Sequence, residues 1–347
     1  MGWFNKAFRG NKNSDKVDLT NITRTETIEG LSTPGIIKNF HYYFTDLEVY
    51  SDGLISCWGM VDLAMFKQKL SEEWVVTSIP DGEFFSISGL GRWQIEDAHW
   101  LYNPNTLYDH VTSLVKRLNP DMQNLHNYHG SDVRQIGKTR ISKHSLPSPT
   151  PFYRHENSSY WPQRMDSAKF WVFYRDDDQK VYLTDLSIYK NARVEITKLP
   201  KRLVLQFDQL PQWVENGRIL TELAKGEQVN ILNLGSFRVS QGDGIPIKDK
   251  LYELEDKFKE LQGGENSIRK CARLFEEYKA SPSKGAKKAL KQAYEAIPKR
   301  NRVYVGDMDN KDYAVRYVLY GKQVKKEWDK DRFTPFPFDD LPLMDDG

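Results

Sequence analysis

The sequence predicts an α+β fold, with two β-rich α+β units followed by a helical segment and a C-terminal β-hairpin. The first observation behind this prediction is a segment that occurs twice. Residues 85–95 read FSISGLGRWQI and residues 229–239 read VNILNLGSFRV, with apolar side chains and a Leu-Gly pair at matching steps. The second observation is that strand-like patterns surround both copies, whereas helical periodicity dominates after residue 245. We therefore expect a degenerate tandem repeat with helices added behind it.

The length and composition narrow the class of protein. A chain of 347 residues exceeds what one hydrophobic core usually organises, so two or three domains are expected. The net charge of +2 provides no overall field that would attract nucleic acid. The two cysteines, Cys57 and Cys271, lie far apart, which favours a reducing compartment over a disulfide scaffold. No apolar run approaches the roughly 18 residues of a membrane-spanning helix. A cytoplasmic protein is therefore expected.

The first α+β domain is predicted over residues 31–122. Its strands are joined by turns at Ser51-Asp52-Gly53 and Pro80-Asp81-Gly82, and Asp62 is a suitable N-cap for a helix that begins at Leu63. A second helix is predicted over residues 105–118, ending before Pro120. Residues 123–165 are polar and rich in proline, which is typical of a linker or a long loop.

The second β-rich domain is predicted over residues 166–245, with a turn at residues 176–179. Residues 246–300 follow as a basic helical segment in three pieces, for which Asn266 and Ser283 are suitable N-caps. The runs RVYV and YAVRYVLY then predict a β-hairpin over residues 301–332, because aromatic and β-branched residues favour strands. Residues 333–347 form an acidic-apolar tail that is too rich in Pro and Asp for a helix or a central strand.

Residues 1–30 are predicted to be a basic amphipathic segment followed by a linker. Trp3, Phe4 and Phe8 fall on one face of a short helix, with basic residues elsewhere. Such a face could dock on a protein partner or make peripheral contact with a membrane. The alternative is that it packs against its own chain or frays.

The tail carries a second candidate for partner binding. Its apolar residues lie on both sides of Asp339 and Asp340, and they are Phe336, Phe338, Leu341 and Leu343. Over fewer than ten residues this run resembles the acidic-apolar tip of bacterial single-stranded-DNA-binding proteins, but it departs from that tip by continuing to Gly347. The resemblance implies docking of the apolar side chains in a partner's pocket. The alternative is that the tail folds onto the basic helices of its own chain.

A third candidate is a basic helix face. Lys284, Lys287, Lys288 and Lys291 recur at helical spacing within a region that contains few acidic residues. Clusters of this kind bind phosphates with little sequence readout, so a nucleic-acid-binding protein is the main alternative function. An ordinary solvated helix face would show the same pattern.

A fourth candidate is the acidic group Asp307, Asp309 and Asp312. Carboxylates at this spacing could bind a hard cation, which makes a metal-dependent enzyme the second alternative. An acidic turn between two strands is the other interpretation, since Lys311 and Asp312 do not fit an EF-hand loop. Neither a G-x-S-x-G nor an H-E-x-x-H motif occurs, so no catalytic residue, metal ligand or cofactor is predicted.

Taken together, these features predict a non-enzymatic cytoplasmic protein that binds another protein. The runs WGMVDL and GDMDNKD resemble signatures of bacterial proteins of unknown function, a resemblance that assigns no role to any residue. A bacterial toxin–immunity or phage-defence setting is the expectation that accompanies this function.

Overall fold

The computed structural model describes residues 27–126, 133–136, 139–142, 153–156, 167–307, 309–331 and 334–344. It has the predicted α+β class. The described residues form two compact units. Unit 1 draws on residues 1–86, 97–162 and 233–236, and unit 2 draws on residues 87–96, 163–232 and 237–347. Short pieces of each copy of the repeated segment therefore belong to different units.

The first copy of the repeat contains seven strands and two helices. In chain order they are β1 (Thr27–Asn39), β2 (His41–Tyr50), β3 (Ile55–Ser56), β4 (Met60–Val61), α1 (Leu63–Ser71), β5 (Val75–Val76), β6 (Phe84–Ile87), β7 (Gly91–Trp100) and α2 (Pro104–Leu118). Strands β1 and β2 form a long antiparallel pair that turns at Phe40, and β5 pairs with β1 at Ile36 and Ile37. Helices α1 and α2 bury Phe66 and Val111 against this pair.

The region predicted as a linker, residues 123–165, lies largely outside the described residues. Within it, β8 (Val133–Ile136) and β9 (Thr139–Ser142) pair with each other in antiparallel orientation. Strand β10 (Tyr153–Glu156) runs parallel to the start of β1.

The second copy has the same order of elements. They are β11 (Ser167–Arg175), β12 (Val181–Tyr189), β13 (Arg193–Thr197), β14 (Leu203–Gln206), α3 (Leu210–Glu215), β15 (Ile219–Leu220), β16 (Gln228–Ile231), β17 (Gly235–Gly244) and α4 (Ile247–Leu261). Strands β11 and β12 form the antiparallel pair, and β15 pairs with β11 as β5 pairs with β1. The structural repeat thus extends well beyond residues 85–95 and 229–239.

The repeated segment itself is a strand, a three-residue turn and a strand in both places. The turns contain Gly89 (φ 68°) and Asn233 (φ 61°), and the strands after them begin at Gly91 (φ 151°) and Gly235 (φ 152°). The matched apolar residues are all buried: Phe85, Ile87, Leu90, Trp93 and Ile95 in the first copy, and Val229, Ile231, Leu234, Phe237 and Val239 in the second. The two similar segments therefore share a backbone conformation and a pattern of burial.

After α4 the chain is helical. The helices are α5 (Ser267–Ala280), α6 (Lys284–Ala296), α7 (Tyr313–Tyr320) and α8 (Gln323–Asp331), with a 3-10 helix over Lys299–Val305. The predicted N-caps are confirmed, because the side chains of Asp62, Asn266 and Ser283 each accept a hydrogen bond from a backbone N–H in the first turn of their helix.

The predicted β-hairpin over residues 301–332 is wrong. RVYV lies in the 3-10 helix, and YAVRYVLY is α7. This helix is apolar on two faces: Val315, Val318 and Leu319 pack in one hydrophobic cluster, while Tyr313 and Tyr317 pack in another. A short helix buried on two faces shows a nearly continuous apolar run, which periodicity cannot distinguish from a buried strand.

None of the helices in the described parts of the chain is long and apolar enough to cross a membrane.

Candidate functional site

Unit 1 has four aromatic side chains near the Phe40 end of the β1–β2 pair, of which two are exposed and two are half-buried. We call Phe40, Tyr43, Trp58 and Trp74 the aromatic tip surface. Phe40 occupies the turn between the two strands, and its side chain is 98% exposed. Trp58 is 51% exposed, and its ring centroid lies 5.0 Å from that of Tyr43 and 6.2 Å from that of Trp74. Large aromatic side chains grouped in this way favour a binding surface.

The two most exposed of these residues also have unfavourable backbone conformations. Phe40 has φ 56° and Trp58 has φ 67°, in the left-handed region that Gly and Asn adopt most readily. An aromatic residue in this region costs on the order of 1 kcal/mol. Because the side chain of Phe40 is exposed, it contributes almost no hydrophobic stabilisation to the folded chain. Folding therefore gives no physical reason for an aromatic residue at position 40.

The corresponding turn of the second copy differs. Between β11 and β12 the chain passes through three aspartates, and the Asp176 carboxylate accepts a hydrogen bond from the Lys180 backbone N–H at 2.8 Å. The left-handed residue in this turn is Gln179, with φ 64°. A polar turn thus closes the same strand pair elsewhere in this chain, so the aromatic side chain at position 40 is not required to close it.

Charged residues border the aromatic tip surface in balanced numbers. The Lys38 ammonium is 2.6 Å from a carboxylate oxygen of Glu73. The Lys69 ammonium lies 5.4 Å from the centre of the Trp74 ring and 3.7 Å from Glu72. An apolar centre with paired charges at its edge is the usual anatomy of a protein–protein interface.

The N-terminal candidates Trp3, Phe4 and Phe8 lie outside the described residues, so their docking role stays a prediction. Nothing in the sequence marks Phe40 as a binding residue either, because phenylalanine is not a turn former. The only local turn signal is Asn39.

The acidic-apolar tail lies on the helices of its own chain, which is the alternative that its sequence left open. Phe336 is buried, and its ring centroid is 4.8 Å from that of Tyr317 and 5.9 Å from that of Trp328. Phe338 and Leu341 also pack in this cluster, whereas Leu343 is exposed. Three of the four apolar candidates therefore contact the protein's own helices.

Hydrogen bonds to the tail backbone reinforce this packing. The Trp328 indole N–H donates to the Thr334 carbonyl at 2.7 Å, and the Tyr278 hydroxyl donates to the Pro342 carbonyl at 2.8 Å. The Lys287 ammonium donates to the Met344 carbonyl at 2.8 Å. The described part of the tail, residues 334–344, is thus hydrogen-bonded at both of its ends and packs on the helices between them.

Replacing Phe336 with alanine is expected to lower the free energy of unfolding by about 3 kcal/mol, because it removes a buried aromatic ring that packs on Tyr317 and Trp328. Leu343→Ala is the matched control, since its side chain is exposed. It is expected to change stability by no more than about 0.5 kcal/mol. Denaturant unfolding of both variants measures this difference, and equal effects would show that the tail does not pack on the helices.

The four lysines of the basic face have different surroundings. Lys287 bonds the tail, and the Lys291 ammonium is 4.0 Å from the Glu295 carboxylate. Lys284 and Lys288 are exposed, and they have no ion-pair partner among the described residues. These two lysines are the part of the face that remains available to phosphates.

The three aspartates do not converge on one point. The Asp307 carboxylate accepts two hydrogen bonds from Asn310, one from its backbone N–H at 2.5 Å and one from its side chain at 3.0 Å, and these lower the pKa of Asp307. The buried Asp312 accepts a hydrogen bond from the Tyr294 hydroxyl, and Asp309 is exposed. In the described residues no group of three or more His, Cys, Asp or Glu side chains could hold a metal ion.

The chain is thus an α+β protein with a repeated sheet-and-helix unit, an exposed aromatic tip and a C-terminal helical region. It belongs to the family described as Domain of unknown function (DUF7638), whose model matches residues 19–122 and 155–265, more than half of the chain. Each of these two segments contains one copy of the repeat. Residues 266–334 match a second family model, Domain of unknown function (DUF7639). No curated protein and no solved structure matches the chain.

Proposed function

We propose that this protein binds another protein, and that unit 1 provides the binding surface with Phe40 as its anchor. The observation that carries the proposal is the fully exposed phenylalanine in a left-handed turn. A buried aromatic anchor commonly supplies a large share of the binding energy of a protein interface. Burial in a partner would offset the backbone cost at position 40, which the isolated chain leaves uncompensated.

The chemistry of the surface favours a protein over a phosphate-bearing partner. Lys38 and Lys69 are each paired with a glutamate, so the described residues at the edge of the aromatic tip surface show no excess of positive charge. Nucleic acids and anionic lipid surfaces are bound mainly through such an excess. The partner that fits is a protein with an apolar pocket bordered by polar groups. We place this binding in the bacterial cytoplasm, in toxin–immunity or phage defence, where a non-catalytic surface recognises one cognate protein.

Affinity capture with Phe40→Asn tests the proposal. The variant is expected to lose a specific protein partner by at least about tenfold, which corresponds to about 1.4 kcal/mol of binding energy. It is also expected to unfold at the same or a higher temperature, since Asn adopts the left-handed region more readily than Phe. Quantitative mass spectrometry of the captured proteins and a thermal unfolding curve give the two measurements.

Val204→Ser is the matched control, because it removes a 51% exposed apolar side chain from β14 of unit 2. It should retain the partner. The proposal fails if the native chain and Phe40→Asn capture the same proteins in the same amounts. Recovery of nucleic acid that depends on Lys284 and Lys288, with no protein dependent on Phe40, would instead favour the nucleic-acid-binding alternative.

A further inference from the structure

Unit 2 contains a cleft of about 750 Å³ that no motif in the sequence indicates. Its walls are α4, the start of α5, the 3-10 helix over Lys299–Val305 and residues 168–171 of β11. These walls come from segments that match two different family models, since α4 and β11 match the first and α5 and the 3-10 helix match the second. The volume lies within the range of about 300–1,000 Å³ that is typical of ligand sites, which often form where two domains meet.

The floor of the cleft is a fixed charge network. Lys250 is only 1% exposed, and its ammonium donates to the Gly89 carbonyl at 2.5 Å and to Glu253 at 2.7 Å. The other oxygen of Glu253 accepts hydrogen bonds from Arg300 at 2.8 Å and from Asn301 at 3.0 Å. Burial lowers the pKa of Lys250, and the bond to Glu253 opposes that shift. This network holds α4 against the 3-10 helix and gives the cleft a defined shape.

The carboxylates that line the cleft already accept hydrogen bonds from this chain. Besides Glu253, Asp256 accepts from the Ser267 backbone N–H at 2.7 Å and from its hydroxyl at 2.8 Å. Glu260 pairs with Lys257 at 2.7 Å and with Arg269 at 3.1 Å. Each of these carboxylates is therefore already paired with donors of this chain.

The cationic side chains of the cleft have more N–H groups than the hydrogen bonds named above use. A guanidinium and an ammonium carry several N–H groups each. Arg300 bonds Glu253 and Asn301, and Lys257 bonds Glu260, which leaves further N–H groups on both side chains. Both side chains are partly exposed in the cleft. The cleft is lined by one more cation than anion, since Lys169, Lys250, Lys257 and Arg300 face Glu253, Asp256 and Glu260. This positive balance favours an anionic ligand.

Aromatic rings in the cleft favour a second feature in its ligand. Tyr304, at the rim, is 69% exposed, and Tyr252 and Trp171 line the same cleft. An exposed ring in a cleft that also contains cations is suited to stacking against a planar group of a ligand, and Tyr304 is such a ring. The ligand that satisfies both features has an anionic group and a planar ring.

We propose that this cleft binds a nucleoside phosphate. The phosphate would lie on Arg300 and Lys257, and the base would stack on Tyr304. Lys250 and Glu253 position these groups from below without contacting the ligand. This binding site is separate from the aromatic tip surface of unit 1, so either proposal can fail without the other.

Isothermal titration of the full chain with the monophosphates AMP, GMP, CMP and UMP tests the proposal. Adenosine and inorganic phosphate are titrated separately, because they are the two parts of AMP. At least one monophosphate is expected to bind, and adenosine and phosphate alone should bind more weakly than AMP if AMP is the ligand. Lys257→Gln and Tyr304→Ser should each weaken the binding by about tenfold or more, because each removes one recognised group. Neither side chain belongs to the network of Lys250, Glu253 and Arg300, so the charge network in the floor is retained.

Lys288→Gln is the control, since it removes an exposed lysine of α6 that does not line the cleft. It should leave the affinity unchanged. The proposal is overturned if none of the four monophosphates binds, if the Lys257→Gln and Tyr304→Ser variants bind as tightly as the native chain, or if Lys288→Gln weakens binding equally. Binding of a single-stranded oligonucleotide without binding of any monophosphate would also overturn it.

Discussion

Replacing Gly235 with alanine is expected to lower the free energy of unfolding by about 3–5 kcal/mol. Gly235 has φ 152°, a conformation that residues with a Cβ rarely adopt. A Cβ there would lie 2.2 Å from the His99 carbonyl oxygen. The clash is with backbone, so no side chain can rotate away to relieve it. Denaturant unfolding measures the loss.

The first copy of the repeat predicts the same result at Gly91. Its φ is 151°, and a Cβ would lie 2.5 Å from the Asp243 carbonyl oxygen. Gly285→Ala, in α6, is the control for adding a methyl group: its Cβ meets no atom closer than 4.0 Å. Because alanine is the better helix former, this control should gain about 0.5–1 kcal/mol. If the Gly91 and Gly235 variants were as stable as the control, the two turns would not have the close backbone approach described above.

Replacing Glu253 with alanine is expected to cost about 3–5 kcal/mol, because it leaves the buried ammonium of Lys250 without its carboxylate. Lys250→Met should cost less, since it removes the buried charge itself and keeps an apolar side chain of similar length. Combining the two changes should therefore recover part of the loss seen in Glu253→Ala. Glu255→Ala, at an exposed position of the same helix, is the control and should have little effect.

The free energy of unfolding depends on the protonation of Lys250, and the direction of this pH dependence can be stated. Burial lowers the pKa of Lys250 below its ordinary value of 10.5, so the folded chain releases this proton at a lower pH than the unfolded chain does. Between the two pKa values the unfolded chain binds more protons, and stability rises with pH. The loss in Glu253→Ala should therefore shrink as pH rises through the lowered pKa toward 10.5. The double variant, which lacks the lysine, should not show this recovery.

The parts of the fold that could be predicted from the sequence depend on neighbouring residues. Asp62, Asn266 and Ser283 cap helices because each is followed directly by a helical pattern whose first N–H groups need an acceptor. The two copies of the repeated segment could be recognised because alternate positions face a core and a Leu-Gly pair marks the turn. Each of these signals lies within a few residues of the feature that it predicts.

The features that the sequence predicts wrongly, or does not indicate, depend on contacts between residues that are distant in the chain. The sequence predicts a strand at Tyr313 and Val315, whereas the structure has a helix there that packs on two hydrophobic clusters. Neither cluster can be recognised from the residues of the helix alone. Lys250 contacts Gly89, which lies 161 residues earlier. A buried lysine of this kind has the same sequence signature as a solvated one on an amphipathic helix. The sequence alone therefore does not indicate the cleft.

The sequence by itself determined the α+β class, the repeated strand–turn–strand segment, the helix caps and the acidic-apolar character of the tail. Only the tertiary structure decided that α7 is a helix, that the tail packs on its own chain, and that Lys250, Glu253 and Arg300 form one network. It also decided that Phe40 is exposed in a left-handed turn. The physical reason is range: capping and alternation act between near neighbours, whereas burial and charge pairing depend on residues that only the folded chain brings together.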